Sequence, residues 1–153
     1  MDMRKHYTLF FLTLCWLGAG LFLVVKGTAL LSAAAKGGYA PLLEGLAPIA
    51  SQKEVAAALL IALGLGVGFF KAKKVLKPLA TKNSTALQTG ETTPKAVLIR
   101  TAILVGLMMG LGMGIRYLGV PGDLRGTILI AVGFALLQGG AVYMRFAATL
   151  DHS

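Results

Sequence analysis

The sequence predicts an all-α fold, an integral membrane bundle of four transmembrane helices, and three observations predict it. Four apolar stretches of near-spanning length run through the 153 residues: Tyr7–Val25, Val55–Phe70, Thr101–Ile115 and Thr127–Met144. Hydrophobic residues make up 56% of the chain and charged ones only 14%, against roughly 25% charged in an ordinary soluble domain. Lys and Arg collect between the stretches and never in the middle of one.

Taken in order, the first stretch has 19 residues, within the roughly 17–25 that a helix needs to cross a bilayer. Arg4 and Lys5 precede it, as they would in a secretory signal. The apolar run is longer than the roughly 7–15 residues of a signal core, however, and Lys26 separates it from the Ala33-Ala34-Ala35 motif. A retained span is therefore expected. Cys15, the one cysteine, can form no internal disulfide and reads as a small packed hydrophobe.

The other three stretches have bare cores of 16, 15 and 18 residues. Each is flanked by charged residues whose stems can lie in the apolar layer while their heads reach the interface, which lengthens the effective helix. The expected spans are residues 7–31, 54–76, 95–117 and 125–146 of a single membrane domain, with a cytoplasmic linker over residues 77–94.

Each connection has its own character. In Lys26–Glu54, Gly37-Gly38-Tyr39-Ala40-Pro41 breaks the helix, and Leu42–Ala50 suits a short interfacial one. In the central connection, Phe70–Ala80 continues the second helix as a basic extension whose end Pro78 disturbs. Lys82–Pro94 reads as a flexible polar linker. The last, Arg116–Gly126, is a tight turn around Val120-Pro121-Gly122-Asp123. Asp123 is placed to cap the fourth helix, and Tyr117 belongs to the interfacial aromatic belt.

Orientation follows from the basic residues, because basic loops stay on the cytoplasmic side. Arg4, Lys5, Lys71, Lys73, Lys74, Lys77, Lys82, Lys95, Arg100 and Arg145 fall on one side; Lys26, Lys36, Lys53, Arg116 and Arg125 fall on the other. Both termini are expected in the cytoplasm, in a multi-pass protein of the cell inner (plasma) membrane. The net charge of +9 then reads as attraction to anionic lipid, about 1 kcal/mol per basic residue near the surface, and not to nucleic acid.

Glycine spacing is the most usable packing signal. Gly64 and Gly68 lie four apart in the second span, and Gly106, Gly110 and Gly114 form a ladder in the third. Small residues four apart share a helix face and let two backbones approach in lipid. The third span is accordingly expected to be the tight-contact helix, against the second span or a second copy of the protein. A weak repeat (Leu60–Gly66 against Leu129–Ala135, Leu17–Leu21 against Leu111–Ile115) allows two tandem helical hairpins, although Gly64–Gly68 also matches Gly110–Gly114.

Several chemistries have no residues to carry them. Intramembrane ionisable groups mark proton relays, ion-coupled carriers and voltage sensors, and the four apolar cores hold no Asp, Glu, His, Lys or Arg. His6 and His152 sit at opposite ends of the chain, and no serine or carboxylate pair stands in a catalytic context. No enzyme activity, cofactor or metal is expected. Candidate contacts for a lipid headgroup or other anion are Arg116 and Arg125 in the outer turn, with Lys71, Lys73, Lys74 and Lys77 in the basic extension. Trp16 is expected to pack mid-span, and Gln138, the strongly polar group deep in a span, to bond another helix.

Two resemblances attach to these residues. Gly112-Met113-Gly114-Ile115-Arg116-Tyr117 with Gly126–Ala131 resembles the start of the small four-helix fluoride channels. It departs at Ala131, where those channels carry an asparagine, and lacks their phenylalanine-bearing Thr/Ser motif. Gly66–Lys77, Met108–Gly112, Pro121, Arg125-Gly126 and Ala141–Arg145 resemble small four-helix proteins of bacterial inner membranes. That resemblance implies a location and no activity. The expected role is a scaffold or accessory subunit packing through glycine faces, as a homo-oligomer or within a larger membrane complex. The alternative is a small homodimeric channel or carrier for an uncharged or anionic solute.

Overall fold

A backbone surrounded by hydrocarbon has no water to bond to and must satisfy its N–H and C=O groups internally; every long apolar stretch of this chain is helical. The computed structural model describes residues 3–37, 40–46, 48–49 and 52–150, and the side chains of all of these but 4–6 and 150. Expectations placed on Gly38, Tyr39, Ala47, Ala50, Ser51, His152 and Ser153, or on the side chains of Arg4, Lys5 and His6, lie outside the described residues.

Helix α1 spans Met3–Ala35, α2 Pro41–Gly45 and α3 Lys53–Lys71. A π-helical turn, Ala72–Leu76, joins α3 to α4, Lys77–Thr89; α5, Pro94–Tyr117, and α6, Gly122–Leu150, follow. No strand occurs among the described residues. Four segments are long and apolar enough to cross a membrane: Tyr7–Ala35, Lys53–Thr89, Pro94–Tyr117 and Gly122–Thr149. At about 1.5 Å per residue, the 24 residues of α5 reach about 36 Å, enough for an apolar layer about 30 Å thick. The 37 residues of Lys53–Thr89 reach about 55 Å, so that rod must extend beyond the layer.

Helix α6 organises the bundle. It lies along most of α1, and α3, the π turn and α4 also pack on it. One core layer gathers Leu9, Leu12 and Trp16 with Leu76, Leu136 and Tyr143; a second gathers Leu31, Leu43, Leu60 and Ile130. By contrast α5 is peripheral, burying only Val97 and Thr101 near its start. The tandem-hairpin ordering is not what the packing follows, since α1 pairs with α6 and α5 touches α6 lightly.

The region read as a flexible linker is mostly rod. Helix continues to Thr89, and only four residues separate it from α5. Its composition is polar but its pattern is amphipathic: Leu76, Ala80, Asn83, Ser84 and Leu87 recur at helical spacing and are all buried. Pro78 does not end the helix either. Its ring and missing N–H conflict with an α-helical turn behind it, and the widened π turn stands there, with Lys77 N–H bonding the Ala72 carbonyl. Gly90, at φ +76°, supplies the left-handed stop.

Candidate functional site

Helices α1 and α6 meet in close antiparallel contact along a glycine seam. A Cβ on Gly133 would lie 2.7 Å from the Gly20 carbonyl oxygen, and one on Gly20 2.7 Å from that of Gly133. Gly27 and Gly126 repeat the arrangement at 2.7 and 2.8 Å. The seam's glycines are spaced by seven along each helix: 20 and 27 on one, 126, 133 and 140 on the other. A seven-residue repeat keeps contact along a shallow left-handed crossing, and absent side chains let backbones touch. On the same seam Gly139 makes room for the indole of Trp16, which a Cβ there would strike.

Gly64 and Gly68 also pack closely, and their partner is α6. A Cβ on Gly64 would come 3.1 Å from the Thr127 carbonyl oxygen, and one on Gly68 2.5 Å from that of Ala131. The third-span ladder differs: a Cβ on Gly106, Gly110 or Gly114 would meet nothing within 4 Å. The expected pairing of the third span with the second is therefore corrected within the chain. α3 spends its glycine face on α6, which the α1 seam has already placed beside it. The ladder lies on the exposed side of α5, among Ile99, Ile103 and Met113.

A buried polar cluster occupies the basic end of the bundle. The Asn83 side-chain amide donates to the Tyr143 hydroxyl at 3.2 Å, and the Tyr143 ring meets Trp16 edge-on, with centroids 5.4 Å apart. Among the described residues, Trp16 Nε1, Ser84 Oγ and Thr101 Oγ1 are buried without a hydrogen-bond partner. Each such group costs about 1–3 kcal/mol unless something answers it. Beside them a cavity of about 680 Å³ is lined by Trp16, Asn83, Lys82, Glu91, Arg100 and Thr101, among others. Gln138, expected to bond across helices, is half-buried and makes no side-chain hydrogen bond among the described residues; Asn83 takes that part from α4.

At the opposite end Asp123 is fully buried. Its Oδ2 accepts from the backbone N–H of Leu42 at 2.7 Å and of Leu43 at 3.3 Å, and its Oδ1 from Leu124 at 2.7 Å. It therefore caps the first turn of α2 as well as standing in the first turn of its own helix. Arg116 lies in the last turn of α5 and Arg125 in the opening turn of α6, flanking the same outer turn. Among the basic-extension candidates, Lys74 Nζ sits 4.7 Å from the Phe70 ring centroid and Lys77 Nζ 5.8 Å from that of Phe69. Lys71 and Lys73 are exposed.

No group of three His, Cys, Asp or Glu able to hold a metal ion occurs among the described residues. Compared with family models, curated proteins and solved structures, the chain matches none.

Proposed function

We propose that this chain is a non-catalytic membrane scaffold or accessory subunit that docks a transmembrane helix of a larger complex on the outer face of α5. The observation that carries the reading is the Gly106–Gly110–Gly114 ladder, smooth enough for close helix contact, where an added Cβ would meet nothing within 4 Å among the described residues. The other close-packing glycines, on α1, α3 and α6, are occupied internally. The ten basic residues of the central connection and chain ends support a topology with that side, and both termini, in the cytoplasm of a bacterial inner membrane. The four apolar cores lack ionisable residues, which fits packing better than ion-coupled transport.

The test is purification of a tagged full-length copy in mild detergent, beside Gly110→Leu. The wild type should retain a membrane partner and the variant should lose it, with helicity unchanged because residue 110 touches no other element. A wild type that runs alone, or a variant that keeps its partner, contradicts the reading. A second reading uses the same ladder to join two copies as a channel or carrier; solute flux from proteoliposomes, absent in Gly110→Leu, would favour it.

A further inference from the structure

The inner face of α5, opposite the glycine ladder, closes the cavity at the basic end of the bundle, and nothing in the proposed docking role uses it. We propose that this cavity is a binding site for the phosphate-bearing headgroup of a membrane lipid.

Four features lead there. Lys82 and Arg100 line the cavity together with one carboxylate, Glu91, so the lining carries a surplus of positive charge. Trp16 Nε1 and Thr101 Oγ1 have no hydrogen-bond partner among the described residues and belong to residues only 1% and 6% exposed. Indole N–H is a donor only and a threonine hydroxyl can donate, so the occupant must present acceptor oxygens. Phosphate does so while matching the guanidinium and ammonium groups.

The setting selects lipid over a free ion. Thr101 opens the apolar stretch of α5 directly after Arg100, so the cavity lies at the boundary between the apolar layer and water. Leu79 and Leu104 continue its lining on the apolar side. At about 680 Å³ it falls within the roughly 300–1,000 Å³ of small-molecule sites, whose walls are mostly apolar with a few placed polar groups.

Trp16 is the one tryptophan of the chain, so its fluorescence reads the cavity directly, and its burial keeps it from lipid that merely surrounds the protein. Full-length protein in mild detergent is titrated with phosphatidylglycerol brominated near the top of its acyl chains. Parallel arms use brominated diacylglycerol, which lacks the phosphate, and inorganic phosphate. The site predicts saturable quenching by the phospholipid, none by diacylglycerol, and weaker relief of quenching by competing phosphate.

Arg100→Gln and Lys82→Gln should each raise the half-saturating lipid concentration about tenfold, and Thr101→Val should raise it less. Lys36→Gln, exposed at the opposite end of the bundle, should leave it unchanged. Lys82 and Arg100 are exposed at the cavity mouth, and circular dichroism confirms that each variant is folded. Quenching that fails to saturate, ignores these substitutions or is equal with diacylglycerol overturns the proposal. A Trp16 response to inorganic phosphate that lipid cannot displace overturns the lipid assignment in favour of a free anion.

Discussion

Ala40 precedes Pro41 at the start of α2 and has no side-chain group to cap the helix. Asp123, 80 residues away, accepts the orphaned N–H of Leu43 and that of its neighbour Leu42. Asp123→Ala should destabilise the protein by about 1–3 kcal/mol for the buried N–H groups left unpaired. It should also open the Pro41–Leu46 segment to protease before the bundle melts; Asp123→Asn, which keeps one acceptor, should do less. Equal protease sensitivity in wild type and Asp123→Ala would show that the cap does not hold α2. Asp123 was legible in the sequence as a cap for its own helix, but its second client was not. Local capping rules compare neighbours in the chain, and only the missing cap at Ala40 hinted that a remote group was needed. Gly139→Ala should cost about 1–3 kcal/mol by overpacking against Trp16, seen as a lowered melting temperature and altered Trp16 emission. Unchanged values of both would mean that the indole is not lodged there.

Between elements, the four-residue glycine spacing singled out Gly64 and Gly68, which lie close against α6, but did not name that partner. It passed over the seam of Gly20, Gly27, Gly126 and Gly133, whose spacing is seven. That repeat was present in the sequence, yet seven-residue pairs are easily met by chance among 20 glycines, and only the antiparallel register shows which ones meet. Gly133→Val, placing a branched side chain against the α1 backbone, should destabilise the bundle by about 1–3 kcal/mol or more. Gly110→Leu should leave the melting temperature of the isolated chain unchanged; the reverse order of effects would refute the assignment of seam and free face. The helix was legible through Ala80, but its continuation to Thr89 was hidden by polar composition, which turn and linker rules weigh above the buried stripe of Leu76, Ala80 and Leu87. Its backbone amides should exchange with deuterium slowly, those of Gly90–Thr93 quickly. Uniformly fast exchange from Lys82 onward would restore the flexible linker.

At the scale of the whole molecule, the fold class was the most legible property, because it depends on length and apolarity summed over many residues and not on any one contact. Four rods, α1, the α3–α4 rod, α5 and α6, follow from that sum. Which rods touch depends on register and on small residues, and so had to be seen. The bundle that results is asymmetric: three rods supply most of the packed core, and the fourth adds Val97 to it while offering its ladder outward and its inner face to a cavity. Both functional readings require those rods to cross a bilayer with the basic end inside the cell. The most direct test is labelling by a membrane-impermeant maleimide in intact cells, on a Cys15→Ser background. Leu118→Cys reports the outer turn, where residue 118 is 80% exposed; Thr89→Cys reports the exposed end of α4. The account predicts immediate labelling at 118 and none at 89 until the cells are broken; labelling at 89 in intact cells, or equal labelling at both positions, would contradict it.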